Sequence, residues 1–68
     1  MNTISFNGEP RDLPPDATLD GLVRAWVGEA TEGVAVALNG NVVRRGEWSQ
    51  VAVRGGDELE VVRATQGG

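Results

Sequence analysis

Two Asn-Gly pairs, Asn7-Gly8 and Asn39-Gly40, constrain this chain more than any other feature of its sequence. A type I′ turn needs positive φ at both central positions, which asparagine tolerates and glycine accepts freely. That turn is the tightest connection matching the twist of two adjacent strands. Each pair follows an alternating run: Ile4 and Phe6 with polar Ser5 between them, then Val34, Val36 and Leu38 with alanines between them. Both pairs therefore mark hairpins. After the first, a short return strand carries Arg11 and Leu13 on one face. Pro14-Pro15 ends it, because proline cannot continue a ladder. After the second, Val42-Val43 form the return strand.

One segment between the hairpins has a different period. Leu19, Leu22, Val23, Trp26 and Val27 recur at helical spacing and form one apolar face. Thr18 is the expected N-cap, Asp20 sits in the first turn where the helix dipole favours an anion, and Gly28 marks the stop. Gly21 inside the helix costs roughly 1 kcal/mol against alanine; the expectation is that it lets the helix approach a sheet closely.

The valines and alanines of residues 34–38 predict a central strand apolar on both faces. Residues 44–54 read as irregular, with Trp48 either capping the core or belonging to a partner surface. Arg54-Gly55-Gly56-Asp57 reads as a turn. The last strand spans Glu58–Arg63, with Leu59 and Val61 inward. Hairpin, helix and further strands make an α+β two-layer domain whose connections include a right-handed crossover. The expected fold is the β-grasp (ubiquitin-like) arrangement: a mixed sheet of four to five strands with one main helix packed on one face.

Composition removes most catalysis from consideration. The 68 residues include no Cys, His or Tyr, and all six basic residues are arginine. Imidazole, thiol, phenol and ε-amine are absent, and with them most general bases and nucleophiles. Disulfides and thiolate-bound metals are excluded for the same reason. A net charge of −4 has the wrong sign for a nucleic-acid binder. The longest apolar run, residues 34–38, is far too short to span a membrane. Residues 1–4 lack the pattern of a signal peptide, so cytoplasm is the expected location. No catalytic residue and no metal site are expected within the chain. Asp57, Glu58 and Glu60 read as solvated surface charge, and Gly55-Gly56 as a turn rather than an anion cradle.

Residues 64–68 stand apart from the expected domain of residues 1–63. They read as a flexible arm, Ala64-Thr65-Gln66-Gly67-Gly68, without a large apolar or charged side chain. At the chain's own glycine content, ten in 68, a Gly-Gly ending arises by chance in about 2% of chains. The functional expectation is that the α-carboxylate of Gly68 is the reactive group. A carboxylate is a poor electrophile and needs activation, typically as a mixed anhydride with AMP, by another enzyme. Glycine lets the backbone thread a narrow channel. Such a chain is a substrate or carrier, not a catalyst.

On particular stretches the chain resembles the ThiS-type sulfur carriers of the ubiquitin-like ThiS/MoaD superfamily. They are Leu13-Pro14, Thr18-Leu19 with Leu22-Val23, residues 34–40, Val42-Val43, Arg45, Trp48, residues 56–63 and Gln66-Gly67-Gly68. The chain departs from the family pattern at Arg44, where proline is expected. The resemblance implies that an E1-like adenylating enzyme (ThiF-type) uses ATP to activate Gly68. Sulfur from a donor such as a cysteine desulfurase then makes a thiocarboxylate, and a thiazole synthase (ThiG-type) consumes it in thiamin biosynthesis. Gly68 would carry the sulfur, Gly67 would give access, and Ala64, Thr65 and Gln66 would form the arm. No cofactor is implied on the chain itself.

Alternatives stay open at this point. One is a molybdopterin synthase small subunit, whose arm is expected to hold Pro-Pro where this chain has Arg63-Ala64-Thr65-Gln66. The others are a ubiquitin-like modifier and a plain β-grasp interaction module. The absence of Lys rules out chains built through the protein's own lysines.

Overall fold

The computed structural model describes residues 2–63. β1 (Thr3–Phe6) and β2 (Glu9–Asp12) form the first antiparallel hairpin, with Phe6 opposite Glu9 and Ile4 opposite Arg11. Asn7 and Gly8 have φ of 51° and 85°, both positive as the type I′ turn demands. Phe6 and Glu9 close this two-residue loop as a hydrogen-bonded pair, so the next pair, Ser5 and Pro10, lies between ladder bonds. Pro10 thus stands on an edge strand where its missing N–H faces away from the partner.

Helix α1 (Leu19–Trp26) begins as expected: Thr18 Oγ1 accepts from Gly21 N–H at 3.1 Å. It ends at Gly28, with φ of 128° and its N–H on Val23 O at 3.1 Å. Leu19, Leu22 and Val23 are buried against Ile4, Val36, Leu59 and Val61. Fully burying a Val or Leu side chain is worth about 1.5–3 kcal/mol, so this face binds the helix to the sheet. Trp26 is only half-buried. It meets Phe6 edge-on with ring centroids 5.2 Å apart. The Arg11 guanidinium covers both rings, at 4.7 Å from Phe6 and 4.9 Å from Trp26.

β3 (Val34–Leu38) and β4 (Asn41–Val43) form the second hairpin, with Asn39 and Gly40 at φ of 53° and 84°. β5 (Glu58–Arg63) lies antiparallel to β3 and parallel to β1. The five-stranded order is β2-β1-β5-β3-β4. This mixed sheet with one α-helix on one face is the expected β-grasp architecture, and Leu59 and Val61 point inward as expected.

The structure corrects four local expectations. Gly21 is exposed, and the one atom near an added Cβ would be Thr18 Oγ1 at 3.3 Å; it does not bring the helix nearer the sheet. β3 is central in hydrogen bonding but covered on one face only: Val36 is buried, whereas Ala35 is exposed. Residues 44–54 contain an ordered element, a 3₁₀ helix at Arg45–Gln50. Leu13 falls just beyond β2, whose four residues are all exposed. Trp48 belongs to the core at 1% exposure. Its Nε1 donates to Val43 O at 2.9 Å, tying the 3₁₀ helix to β4. The segment after it is anchored by Leu19 N–H on Val51 O (2.9 Å) and Val53 N–H on Ala17 O (3.1 Å).

Candidate functional site

The residues expected to carry the chemistry, Gly68 with Gly67, Gln66, Thr65 and Ala64, lie outside the described residues. What the structure fixes is the strand that leads to them. β5 sits at the centre of the sheet, between β1 and β3, and its last residue, Arg63, is paired with Val34.

Two asparagine side chains complete the backbone pairing of β5. Along the parallel ladder Ser5 N–H donates to Asp57 O (3.0 Å) and Asn7 N–H to Leu59 O (2.9 Å). The next group in this two-residue repeat is Val61 N–H. At Asn7 the chain turns away with positive φ, so the Asn7 carboxamide takes over: Val61 N–H donates to Oδ1 at 2.8 Å, and Nδ2 donates to Val61 O at 3.2 Å. Beside β3, Asn39 pairs with Glu58 through its backbone and side chain together. Its own N–H donates to Glu58 O at 2.7 Å, and its Oδ1 accepts from Glu58 N–H at 2.9 Å. Its Nδ2 reaches Asp57 Oδ1 at 3.1 Å. A primary carboxamide offers one donor side and one acceptor, as a peptide group does. The sequence marks both residues as turn formers but not as clamps. The available signal is that Asp-Gly makes the same turn, yet both turns use Asn.

The other chemical candidates are absorbed by structure. Gly55 and Gly56 form the expected turn, closed by Asp57 N–H on Arg54 O (3.1 Å) and Arg54 N–H on Asp57 Oδ2 (2.8 Å). Gly56 N–H is used by Thr3 O at 2.9 Å, so it does not face an anion. Glu58 and Glu60 are exposed on the face opposite α1. Arg24 Nε lies 3.1 Å from Asp20 Oδ2, and Nη1 lies 2.7 Å from Glu29 Oε1. Hydrogen bonds to Asp20 first, then Glu29, hold the guanidinium pKa above its usual value. Both partners are on the surface, where such pairs contribute little to stability. Among the described residues no group of three or more acidic side chains is arranged to hold a metal ion. No described helix is long and apolar enough to cross a membrane.

The uncovered sheet face carries an apolar strip. Val42 is 79% and Val62 67% exposed, with Ala35 and Ala37 between them. Together with Asn7 and Glu60 they line a shallow groove of about 390 Å³. Small alanines make its floor and the two valines its walls.

Known proteins supply the remaining observations. The model of the ThiS family matches residues 4–68. A thiazole synthase of Magnetococcus marinus is 42% identical over 65 residues, which make up 96% of this chain and 20% of that protein. A thiazole synthase of Paramagnetospirillum magneticum is 37% identical over the same length and shares. The chain thus spans about a fifth of the curated relatives it matches. The crystal structure of the thiamine biosynthesis protein (ThiS) from Geobacter metallireducens superposes with a TM-score of 0.81 at 28% identity. That likeness covers 97% of this chain and 99% of the other.

Proposed function

The chain belongs to the ThiS family, and on that premise we propose that it is a sulfur carrier whose reactive group is the Gly68 α-carboxylate. One observation carries the reading: the family match extends through residue 68 and so takes in residues 64–68, which follow the central strand in sequence. The composition supports it from another side, since a chain without His, Cys, Lys or Tyr offers little to act on a substrate but can be acted upon.

The proposed sequence has three steps. A carboxylate oxygen of Gly68 attacks the α-phosphorus of ATP in the active site of an E1-like (ThiF-type) enzyme. Pyrophosphate leaves with the electron pair of the broken P–O bond, and an acyl adenylate remains. A persulfide, charged by a donor such as a cysteine desulfurase, then attacks the acyl carbon through its terminal sulfur and AMP leaves. A second thiol cleaves the resulting acyl disulfide, forming a disulfide with the first and releasing the thiocarboxylate. The consumer is a thiazole synthase (ThiG-type), a reading supported by the two relatives of that name. The chain's own part is mechanical: the domain presents residues 64–68 to the activating enzyme, and the small terminal residues, Gly67 and Gly68, suit a closed channel.

The test is ATP–pyrophosphate exchange with the activating enzyme, read beside the intact mass of the carrier after incubation with ATP, that enzyme and a sulfur source. The chain ending at Gly68 should support exchange and gain the mass difference of sulfur for oxygen. Adding one residue after Gly68 moves the carboxylate by up to ~3.6 Å and should abolish both signals without unfolding the domain. An extended protein adenylated at the unmodified rate would overturn the reading.

A further inference from the structure

We propose that Asn7 is a positioning residue for the carboxy-terminal chemistry: its carboxamide extends the parallel β1–β5 ladder by one rung and thereby holds the outgoing end of β5 straight. The inference rests on the proposed reaction at Gly68.

The geometry is specific. β1 and β5 are paired at Ser5 with Glu58 and at Phe6 with Leu59. From Asn7 onward the backbone of the first hairpin turns toward β2, with φ of 51° at Asn7. Without a substitute, Val61 would lose its partner on the β1 side, two residues before Arg63. Asn7 supplies both missing groups, Oδ1 to Val61 N–H at 2.8 Å and Nδ2 to Val61 O at 3.2 Å. One side chain thus bonds both backbone groups of a single residue across 54 positions of sequence. On its other side β5 is held by β3, from Leu38 opposite Leu59 to Val34 opposite Arg63. Pairing on both flanks suppresses twisting and fraying of the strand that aims the arm. Loss of one flank widens the directions in which the arm leaves, and so lowers the fraction of docked carriers whose carboxylate is aligned for attack.

The substitutions that separate this role from turn formation are Asn7→Gly and Asn7→Asp. Glycine keeps the positive φ and removes both clamp bonds. Aspartate keeps the turn and the acceptor for Val61 N–H but loses the donor to Val61 O. Amide exchange read residue by residue should show Val61 opening about tenfold faster in Asn7→Gly, with Val36 unchanged, and near-normal protection of Val61 in Asn7→Asp. Adenylation kinetics, measured well below the melting temperature, should show kcat lowered roughly threefold to tenfold in Asn7→Gly at unchanged KM, with partial rescue in Asn7→Asp. Faster exchange at Val61 with unmodified kcat would show the clamp to be structural only and overturn the proposal. Unaltered exchange at Val61 would overturn it at the geometric level. Absence of exchange activity in the unmodified chain would instead bring down the Gly68 reaction, and the positioning role with it.

Discussion

Replacing Trp48 with Phe tests the packing that holds the two halves of the domain together. Trp48 is the largest fully buried side chain among the described residues. It ties the 3₁₀ helix to edge strand β4 through its bond to Val43 O. Two losses follow. Val43 is paired with Val36 at a hydrogen-bonded position, counting by alternation from the Asn39-Gly40 turn. Its carbonyl therefore keeps a ladder donor, and losing the indole N–H costs only a net hydrogen bond, about 0.5–1.5 kcal/mol. Phe also lacks roughly a third of the side chain; scaled from the ~3–5 kcal/mol of full truncation, that void costs ~1–1.5 kcal/mol. The sum is about 1.5–3 kcal/mol, and at ~4–8 °C per kcal/mol for a domain of this size the midpoint falls by ~6–24 °C. Thermal unfolding by far-UV circular dichroism, with a urea titration of unchanged slope, measures it. Trp26→Phe, at a half-buried ring without such a bond, should cost under ~1 kcal/mol. A Trp48→Phe midpoint within ~3 °C of the unmodified protein, or a larger effect at Trp26, would refute the reasoning.

Three further outcomes are expected. Leu22→Ala should cost ~2–5 kcal/mol, a large part of the ~3–10 kcal/mol a chain of this length can hold; a near-neutral result in the same titration would mean the helix face is misassigned. Arg44→Pro should stabilise by about 0.4–1 kcal/mol, because Arg44 already has φ of −68° and, one residue past the hydrogen-bonded Val43, its N–H points away from β3. A loss of stability there would show that the N–H is in use. Deleting residues 65–68 should cost less than ~1 kcal/mol by thermal unfolding, since Thr65, Gln66, Gly67 and Gly68 bring no large apolar side chain to bury, while abolishing pyrophosphate exchange.

At Arg44 the resemblance leads one to expect proline, and the structure places arginine at an angle proline would adopt. The loop geometry is therefore kept by its neighbours. Val43 is fixed in the β4 ladder, and the 3₁₀ helix opens with Glu47 N–H on Arg44 O at 2.8 Å.

Local chemistry was enough to determine the turns, the helix and its ends, and the inward face of β5. Positive φ at Asn-Gly, a hydroxyl at an N-cap and the period of apolar residues act within a few residues of chain, so Asn7-Gly8, Thr18, Leu22 and Leu59 could be read in place. The resemblance carried in part by Thr18, Leu22 and Leu59, together with the Gly67-Gly68 ending, also pointed to the carrier class. Only the tertiary structure decided matters that depend on who stands across a ladder or against a face. The alanines of β3 look like core in sequence, but a single helix covers one side of the sheet, so Ala35 faces outward with Val42 and Val62. Trp48 has no periodic neighbours to announce its burial; it enters the core because the 3₁₀ helix and the Val43 carbonyl receive it. Asn7 and Asn39 show the limit most sharply. Their turn role is written in the following glycine. Their hold on β5 depends on residues 54 and 19 positions away: Val61 needs a donor and an acceptor, which the Asn7 side chain supplies, and Glu58 N–H needs an acceptor, which Asn39 Oδ1 supplies.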